Sequence, residues 1–368
     1  MTDISYFQEI PKSTIRFIEK LNQKNQFNLY PVLGSSTNTG KKLNMGYNCY
    51  AIKLFKLANE WDSLNDNRKQ DWKNYLLNFQ THEHYDYKNF FIDPEVIRYF
   101  SKYLSVYNYR SMAKSTLNTL LKKEYETKKR HIFKTINADN KQTISTLSEI
   151  GIQIKNQPNS FFKGFNFPED YLNSYDWSKP WDAGAQFSSI CLYNSNFNLG
   201  LEKKLINYIE SKLDQETGSY FESEPSSSRQ IINGAMKVIS GLDWLDYPVH
   251  SPEKLIDFCL KNKPVFEGCD LVDYIYVLYK CSSQTNYKKQ EILQILIDVL
   301  DYLKLLYHEK EEGFSYYVNK SQTHYYGINI SKGKNTPDIH GTILSVWAIN
   351  MILSLLEKNI YNYNIIKP

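Results

Sequence analysis

The sequence predicts an all-α protein, an α/α toroid of about five to seven helix pairs in an outer and an inner ring. Three observations carry this. From Tyr47 onward apolar residues recur at helical spacing, and no stretch alternates as a half-buried sheet requires. The helices then alternate between amphipathic segments and segments apolar nearly all round, and a helix of the second kind has to be buried. Finally, two echoes mark an internal repeat. Leu205-Ile206-Asn207-Tyr208-Ile209 stands before Thr217-Gly218-Ser219-Tyr220-Phe221 as Val299-Leu300-Asp301-Tyr302-Leu303 stands before Glu312-Gly313-Phe314-Ser315-Tyr316. An open helical solenoid is the competing arrangement.

In chain order, residues 1–46 read as an N-terminal leader and loop, with one amphipathic helix from Lys12 to Leu21, ahead of a single domain over 47–368. Gly34, Gly40 and Lys41 approach a phosphate loop. The glycines are one residue too far apart, and Lys42 stands where Ser or Thr belongs, so the stretch reads as a connecting loop. Amphipathic helices follow over Tyr47–Asn59 and Asp66–Phe79, and Trp72 to Gln80 is a third echo of the helix rhythm without the glycine turn. Asp93-Pro94 opens another helix. Between them, His82, His84 and Asp86 could bind a metal, although an exposed tyrosine-rich loop is the simpler reading. Lys114–Arg130 reads as a charged, solvent-facing helix, and Lys141–Ile150 as a short one ending at Gly151. Pro158–Pro180 is aromatic and turn-rich, a candidate lid or join. The second half is more regular. Leu201–Leu213, Pro252–Leu260 and Glu291–Tyr307 are amphipathic. Asp182–Tyr193, Ile231–Leu245, Asp270–Tyr279 and Ile339–Leu356 are apolar, the first two carrying the small runs Ala183-Gly184-Ala185 and Gly234-Ala235.

Composition narrows the function class. The 368 residues carry 44 basic and 40 acidic side chains, a net +4, which argues against a nucleic-acid or membrane-surface partner. The five cysteines are odd in number and widely spaced, with no CxxC pair, as expected of a reduced compartment. The polar start has no signal-peptide core, and no apolar run approaches the ~20 residues of a membrane span. A cytoplasmic location is expected.

Two helix starts carry the chemistry. In Gly268-Cys269-Asp270-Leu271-Val272-Asp273-Tyr274-Ile275-Tyr276, two acids lie three residues apart, and Asp273 falls inside an apolar, aromatic run. Asp338-Ile339-His340-Gly341-Thr342 likewise places titratable groups in the first turn of an apolar helix. In a toroid such helix starts gather at one end of the central hollow, each with free N–H groups. The candidate catalytic residues are therefore Asp273, His340 and Asp182. Candidate substrate contacts are Trp181, Arg229, Asp270, Tyr276, Tyr326 and Trp347, with Tyr325-Tyr326 covering the mouth. Asp182, Asp270 and Asp338 also stand where helix caps stand, and capping alone would explain each. Asp273 and His340 would work as general acid and base, their pKa values separated by burial. Arg229 would hold an anionic group.

The outer helix, glycine–aromatic turn and small-residue inner helix together resemble the terpenoid cyclase and protein prenyltransferase β-subunit superfamily, whose members are α/α toroids. Leu271-Val272-Asp273-Tyr274-Ile275-Tyr276 resembles the Leu-Val-Asp-x-Cys-Tyr zinc stretch of the prenyltransferase branch, with Ile275 at the Cys position. Asp338-Ile339-His340 resembles its later histidine ligand. The likeness covers residues 180–356 in motif and 47–150 in rhythm. It implies an isoprenoid or related hydrophobic substrate, and a divalent metal such as zinc held by Asp273, His340 and Asp338. Two other classes use the same architecture: a glycan-active hydrolase or lyase, and a toroid that binds a ligand or protein without chemistry.

Overall fold

A computed structural model describes residues 3–22, 27–82, 87–102, 112–114, 116, 117, 120, 127–159, 168–223, 225 and 227–368 of the chain, which are mostly helical. The helices are α1 (Ile4–Leu21), α2 (Met45–Leu57), α3 (Asp66–Leu77), α4 (Pro94–Lys102), α5 (Lys128–Glu149), α6 (Pro168–Asn173), α7 (Pro180–Phe197), α8 (Glu202–Glu210), α9 (Ser228–Trp244), α10 (Pro252–Lys261), α11 (Gly268–Ser282), α12 (Lys289–Leu306) and α13 (Ile339–Leu355). Between α12 and α13 lie two short hairpins, β1 (Tyr307–His308) with β2 (Gly313–Phe314), and β3 (His324–Tyr325) with β4 (Ile328–Asn329). None of the described helices is long and apolar enough to cross a membrane.

Six helices touch one another in series: α2 contacts α5, α5 contacts α7, α7 contacts α9, α9 contacts α11, α11 contacts α13, and α13 contacts α2. These include the four segments expected to be apolar all round. Four of the six, α2, α7, α11 and α13, take further helices. α1 lies on α2 and α13, α3 on α2, α6 and α8 on α7, α10 on α11, and α12 on α11 and α13. The small runs explain the closest of these pairings. A Cβ added at Gly184 would lie 3.1 Å from the Gly234 carbonyl oxygen, and one at Gly234 would lie 2.5 Å from Pro180 Cβ. Any larger side chain would force α7 and α9 apart.

Hydrogen bonds align the helix ends. At one end the Trp181 amide reaches Gln230 Oε1 (3.4 Å), Arg229 pairs with Asp270, and the Cys269 amide donates to Tyr316 Oη (3.1 Å). Gly341 lets α13 abut the strand exit, since a Cβ there would meet the Tyr316 backbone nitrogen at 2.5 Å. At the other end residues 364–368 run beneath the helices. Trp244 Nε1 donates to the Pro368 carbonyl, the Lys367 amide to Glu149, and Asn350 Nδ2 to both the Leu57 and Asn364 carbonyls.

The repeat expected from the echoes has a common closing device. After α12, β1 pairs with β2 through Tyr307 and Phe314. After α8, Leu213 bridges Tyr220, and after α3, Gln80 bridges Phe91.

Several boundaries differ from the sequence expectation. α1 begins eight residues before Lys12, with Asp3 as its cap and Pro11 inside it, and buries Phe7, Ile10, Phe17 and Leu21. The run expected as a short helix from Lys141 is the second half of α5, which starts at Lys128 behind the capping Thr127. Its Asn and Asp residues imitate a turn in sequence, but they are buried and bonded. Asn140 brackets the Phe91 backbone, accepting from its N–H and donating to its carbonyl at 2.9 Å each. Most of Lys114–Arg130, and residues 160–167 of the candidate lid, lie outside the described residues, as do His84 and Asp86.

Candidate functional site

A cavity of about 600 Å³ is lined by residues of all six helices in the series. Its depth can be read from helix position. Trp181, Asp182, Cys269 and His340 lie in first turns at one end, with Tyr316, Tyr325 and Tyr326 beside them. Lys53, Lys141 and Lys237 stand two or more turns further in, and Ile366 and Pro368 close the far side. The cavity therefore has an aromatic mouth and a basic floor.

Of the residues singled out in the sequence, Asp273, His340, Asp182, Trp181, Tyr326 and Trp347 line this cavity. Asp273 is 1% exposed. Burial pushes its carboxyl up to about 6, against the opposing pull of the Lys237 ammonium. Lys237 Nζ is 3.6 Å from Oδ1, and Oδ2 has no hydrogen-bond partner. His340 stacks on Tyr50 (centroids 4.8 Å, interplanar 8°) and tilts against Tyr316 at 5.2 Å. Burial and the neighbouring Lys237 charge lower its imidazole to about 3, so it is neutral across the physiological range. Asp182 is ion-paired with Lys134 at 2.5 Å across the mouth, from α7 to α5.

Four other candidates sit elsewhere. Arg229 is at the rim with its side chain half exposed, its Nε bonded to both Asp270 oxygens (2.9 and 2.8 Å) and its guanidinium 4.8 Å from the Trp181 ring centroid. Asp270 also accepts from Asn233 (2.7 Å), so neither member of the pair faces the cavity as a free group. Tyr276 lies behind the wall. Its hydroxyl donates to Asp243 (2.8 Å), and its ring supports Trp347 at 5.2 Å. Asp338 is a cap: Oδ1 accepts from the Gly341 N–H at 2.7 Å, and Oδ2 accepts from Tyr316 and Gln322 N–H at 2.8 and 3.0 Å.

The zinc set implied by the resemblance therefore does not fit these residues. The Asp338 oxygens are occupied by three backbone N–H groups. Among the described residues no group of three His, Cys, Asp or Glu side chains is placed to hold a metal. Capping explains Asp338 but not Asp182, which pairs with Lys134, or Asp270, which pairs with Arg229 and accepts from Asn233.

Sequence reasoning missed the lysines of the cavity, together with Tyr50, Gln142 and Cys269. Lys53 interrupts Ala51-Ile52-Lys53-Leu54-Phe55, and Lys237 interrupts Ala235-Met236-Lys237-Val238-Ile239. A lone lysine in an apolar helix is the same signal that drew attention to Asp273. Lys141 follows a polar run and had no such signal. Cys269 receives the Tyr316 hydroxyl proton at 3.1 Å, and burial pushes its thiol up to about 11, so it is held as a neutral thiol.

Deeper support comes from Asp139, which is buried with its carboxyl pushed up to about 7 by desolvation. It accepts from the Tyr325 hydroxyl at 2.6 Å and so fixes one wall of the mouth. No family model, curated protein or solved structure matches the chain.

Proposed function

We propose that the chain is an α/α toroid enzyme of terpenoid cyclase- or prenyltransferase-like type, acting on an isoprenoid or related hydrophobic small molecule by acid–base chemistry in its central cavity. The cyclic series of helix contacts supports the toroid, with α2, α5, α7, α9, α11 and α13 as the inner ring. One observation carries the functional reading. Asp273 is a buried carboxyl on an aromatic cavity, with one oxygen unpartnered and a pKa near 6. A solely structural acid would have its hydrogen bonds filled, since an unmade bond on a buried polar atom costs about 1–3 kcal/mol.

Asp273 in this reading is the general acid. Its burial keeps the proton on the carboxyl into mildly acidic solution, where it can be delivered to a double bond or a leaving oxygen. His340, neutral, stacked on Tyr50 and tilted against Tyr316, takes the proton lost by the substrate cation that this protonation creates, a donor acidic enough for an imidazole held near 3. Lys237 stands near both and sets the balance of charge. Trp181, Trp347, Tyr50 and Tyr326 provide apolar faces for the substrate body, and aromatic faces also stabilise developing positive charge. No metal is required by this assignment.

The test is turnover of a panel of isoprenoid diphosphates and alcohols, with products identified by mass spectrometry. Conversion of at least one panel member should fall about 100-fold or more in Asp273→Asn, the range general acid–base groups supply, while the circular dichroism spectrum is unchanged. Turnover that survives this substitution, or no binding of any panel member in the cavity, would overturn the proposal.

A further inference from the structure

We infer that the floor of the cavity is a binding site for the anionic head of its ligand, a carboxylate or phosphate, held by Lys53, Lys141 and Gln142 with the apolar body pointing toward the aromatic mouth. This rests on the proposed reading of the cavity as a ligand site, and adds a charge and an orientation to the ligand.

The floor holds an excess of hydrogen-bond donors. Lys53 lies on α2, is 4% exposed, and gives one hydrogen bond to Ser145 Oγ at 2.8 Å. Lys141 lies on α5 and donates to Ser188 Oγ (2.6 Å) and Ser240 Oγ (3.3 Å), two hydroxyls that are themselves 2.6 Å apart and fully buried. Neither lysine has an acidic oxygen within ion-pair distance among the described residues; their partners are serine hydroxyls. Next to Lys141 on α5, and lining the same cavity, is Gln142, whose Nε2 is buried with no hydrogen-bond partner. Three side chains thus bring spare N–H groups to one region whose acceptors are hydroxyls.

The balance of charge agrees. Of the other cavity lysines, Lys134 is matched by Asp182 and Lys179 by Asp176, both toward the mouth. Lys237 is beside Asp273. Lys53 and Lys141 have no such close match among the described residues, and feel Glu149 and Asp273 only at longer range. A buried ammonium with no counter-ion is costly, and two close together repel. Consistently, burial lowers Lys53 to about 8, and burial with the charges of Lys237 and Lys53 takes Lys141 well below its ordinary value. An anion placed among them would accept the spare hydrogen bonds and restore both charges.

The floor also sets direction. The 364–368 segment closes that end, so a head bound there leaves the body along Trp347 and Ile343 toward His340 and Tyr326. Asp273 lines the same cavity beside Lys237.

Calorimetric titration of the intact protein with decanoate, decyl phosphate and decanol tests this, because the three share one chain. The two anions should bind at least about tenfold more tightly than the alcohol, one charge-assisted contact being worth that much. Lys53→Met and Lys141→Met should each remove that advantage and leave decanol affinity unchanged. At pH 8.5, anion binding should take up protons from the buffer and decanol should not. The ratio of decanoate to decyl phosphate affinity names the head. If decanol binds as tightly as the anions, or the lysine variants weaken all three alike, the anion site is wrong while the cavity reading stands. If none of the three binds, both fail. Should Lys141→Met not fold, Lys53→Met decides the question alone, since Met retains most of the buried stem.

Discussion

The starts of α11 and α13 each carry an aspartate that is 1% exposed and pushed up to about 6 by burial, yet the two differ in kind. Asp338 receives three backbone N–H groups and ties α13 to the strand and loop before it. Asp273 has a lysine at 3.6 Å and a bare oxygen. Burial and titration alone do not separate a structural acid from a candidate catalytic one. The inventory of partners does, and it is the basis for proposing Asp273 on α11 rather than Asp338 as the acid.

The substitution expected to have the largest effect is Asp338→Ala. It removes a cap and leaves buried N–H groups of Tyr316, Gln322 and Gly341 unpaired, a loss of about 3–5 kcal/mol that a denaturant midpoint would report. If the loss is under about 1 kcal/mol, the contrast with Asp273 collapses.

Asp273→Asn sharpens the same contrast through pH. The folded pKa lies above the unfolded value, so between about pH 4 and 6 the folded state holds a proton that the unfolded chain has released. Wild-type stability on this account falls as pH rises through that window, by about 3 kcal/mol relative to Asp273→Asn, and is level above it. Denaturant titrations at half-unit pH steps would show this. A difference independent of pH would mean that Asp273 is ionised throughout.

Lys53→Met has the opposite slope at higher pH. The folded pKa is about 8, below the ordinary value of 10.5. Below pH 8 the folded state has to bury the charge, so Met should stabilise it by about 1–3 kcal/mol at pH 7. Between pH 8 and 10.5 the folded lysine has shed a proton that the unfolded one retains, so wild-type stability rises and the advantage of Met shrinks. Arg229→Ala should change stability by less than about 1 kcal/mol, because its pairing with Asp270 is at an exposed rim.

Much of the architecture was legible because apolar helices reveal themselves by composition. Ile339–Leu355 and Asp270–Tyr279 could be placed inside from their residues alone, and the glycine–aromatic echoes foretold the turns after α8 and α12. α5 was not legible as a single helix, since Asn137-Ala138-Asp139-Asn140 has turn composition, while in the fold each of its three polar side chains makes a tertiary hydrogen bond. The site was legible where one charged residue interrupts an apolar run, as at Asp273. It was misread where capping and cavity positions look alike, as at Asp338, and where a rim pair such as Arg229 and Asp270 shares a helix turn with the cavity wall. Lys141 and Gln142 emerge only when α5 is brought beside α2, α7 and α9.

The central claim is that Asp273 is a protonatable acid on the ligand cavity. An infrared titration of its carboxyl, taken as wild type minus Asp273→Asn, tests it most directly, with and without the isoprenoid alcohol farnesol. The account predicts one carboxyl titrating near 6 that moves upward when farnesol excludes water from the cavity. A carboxyl titrating near the ordinary 3.8, or one near 6 that does not respond to farnesol, would contradict it.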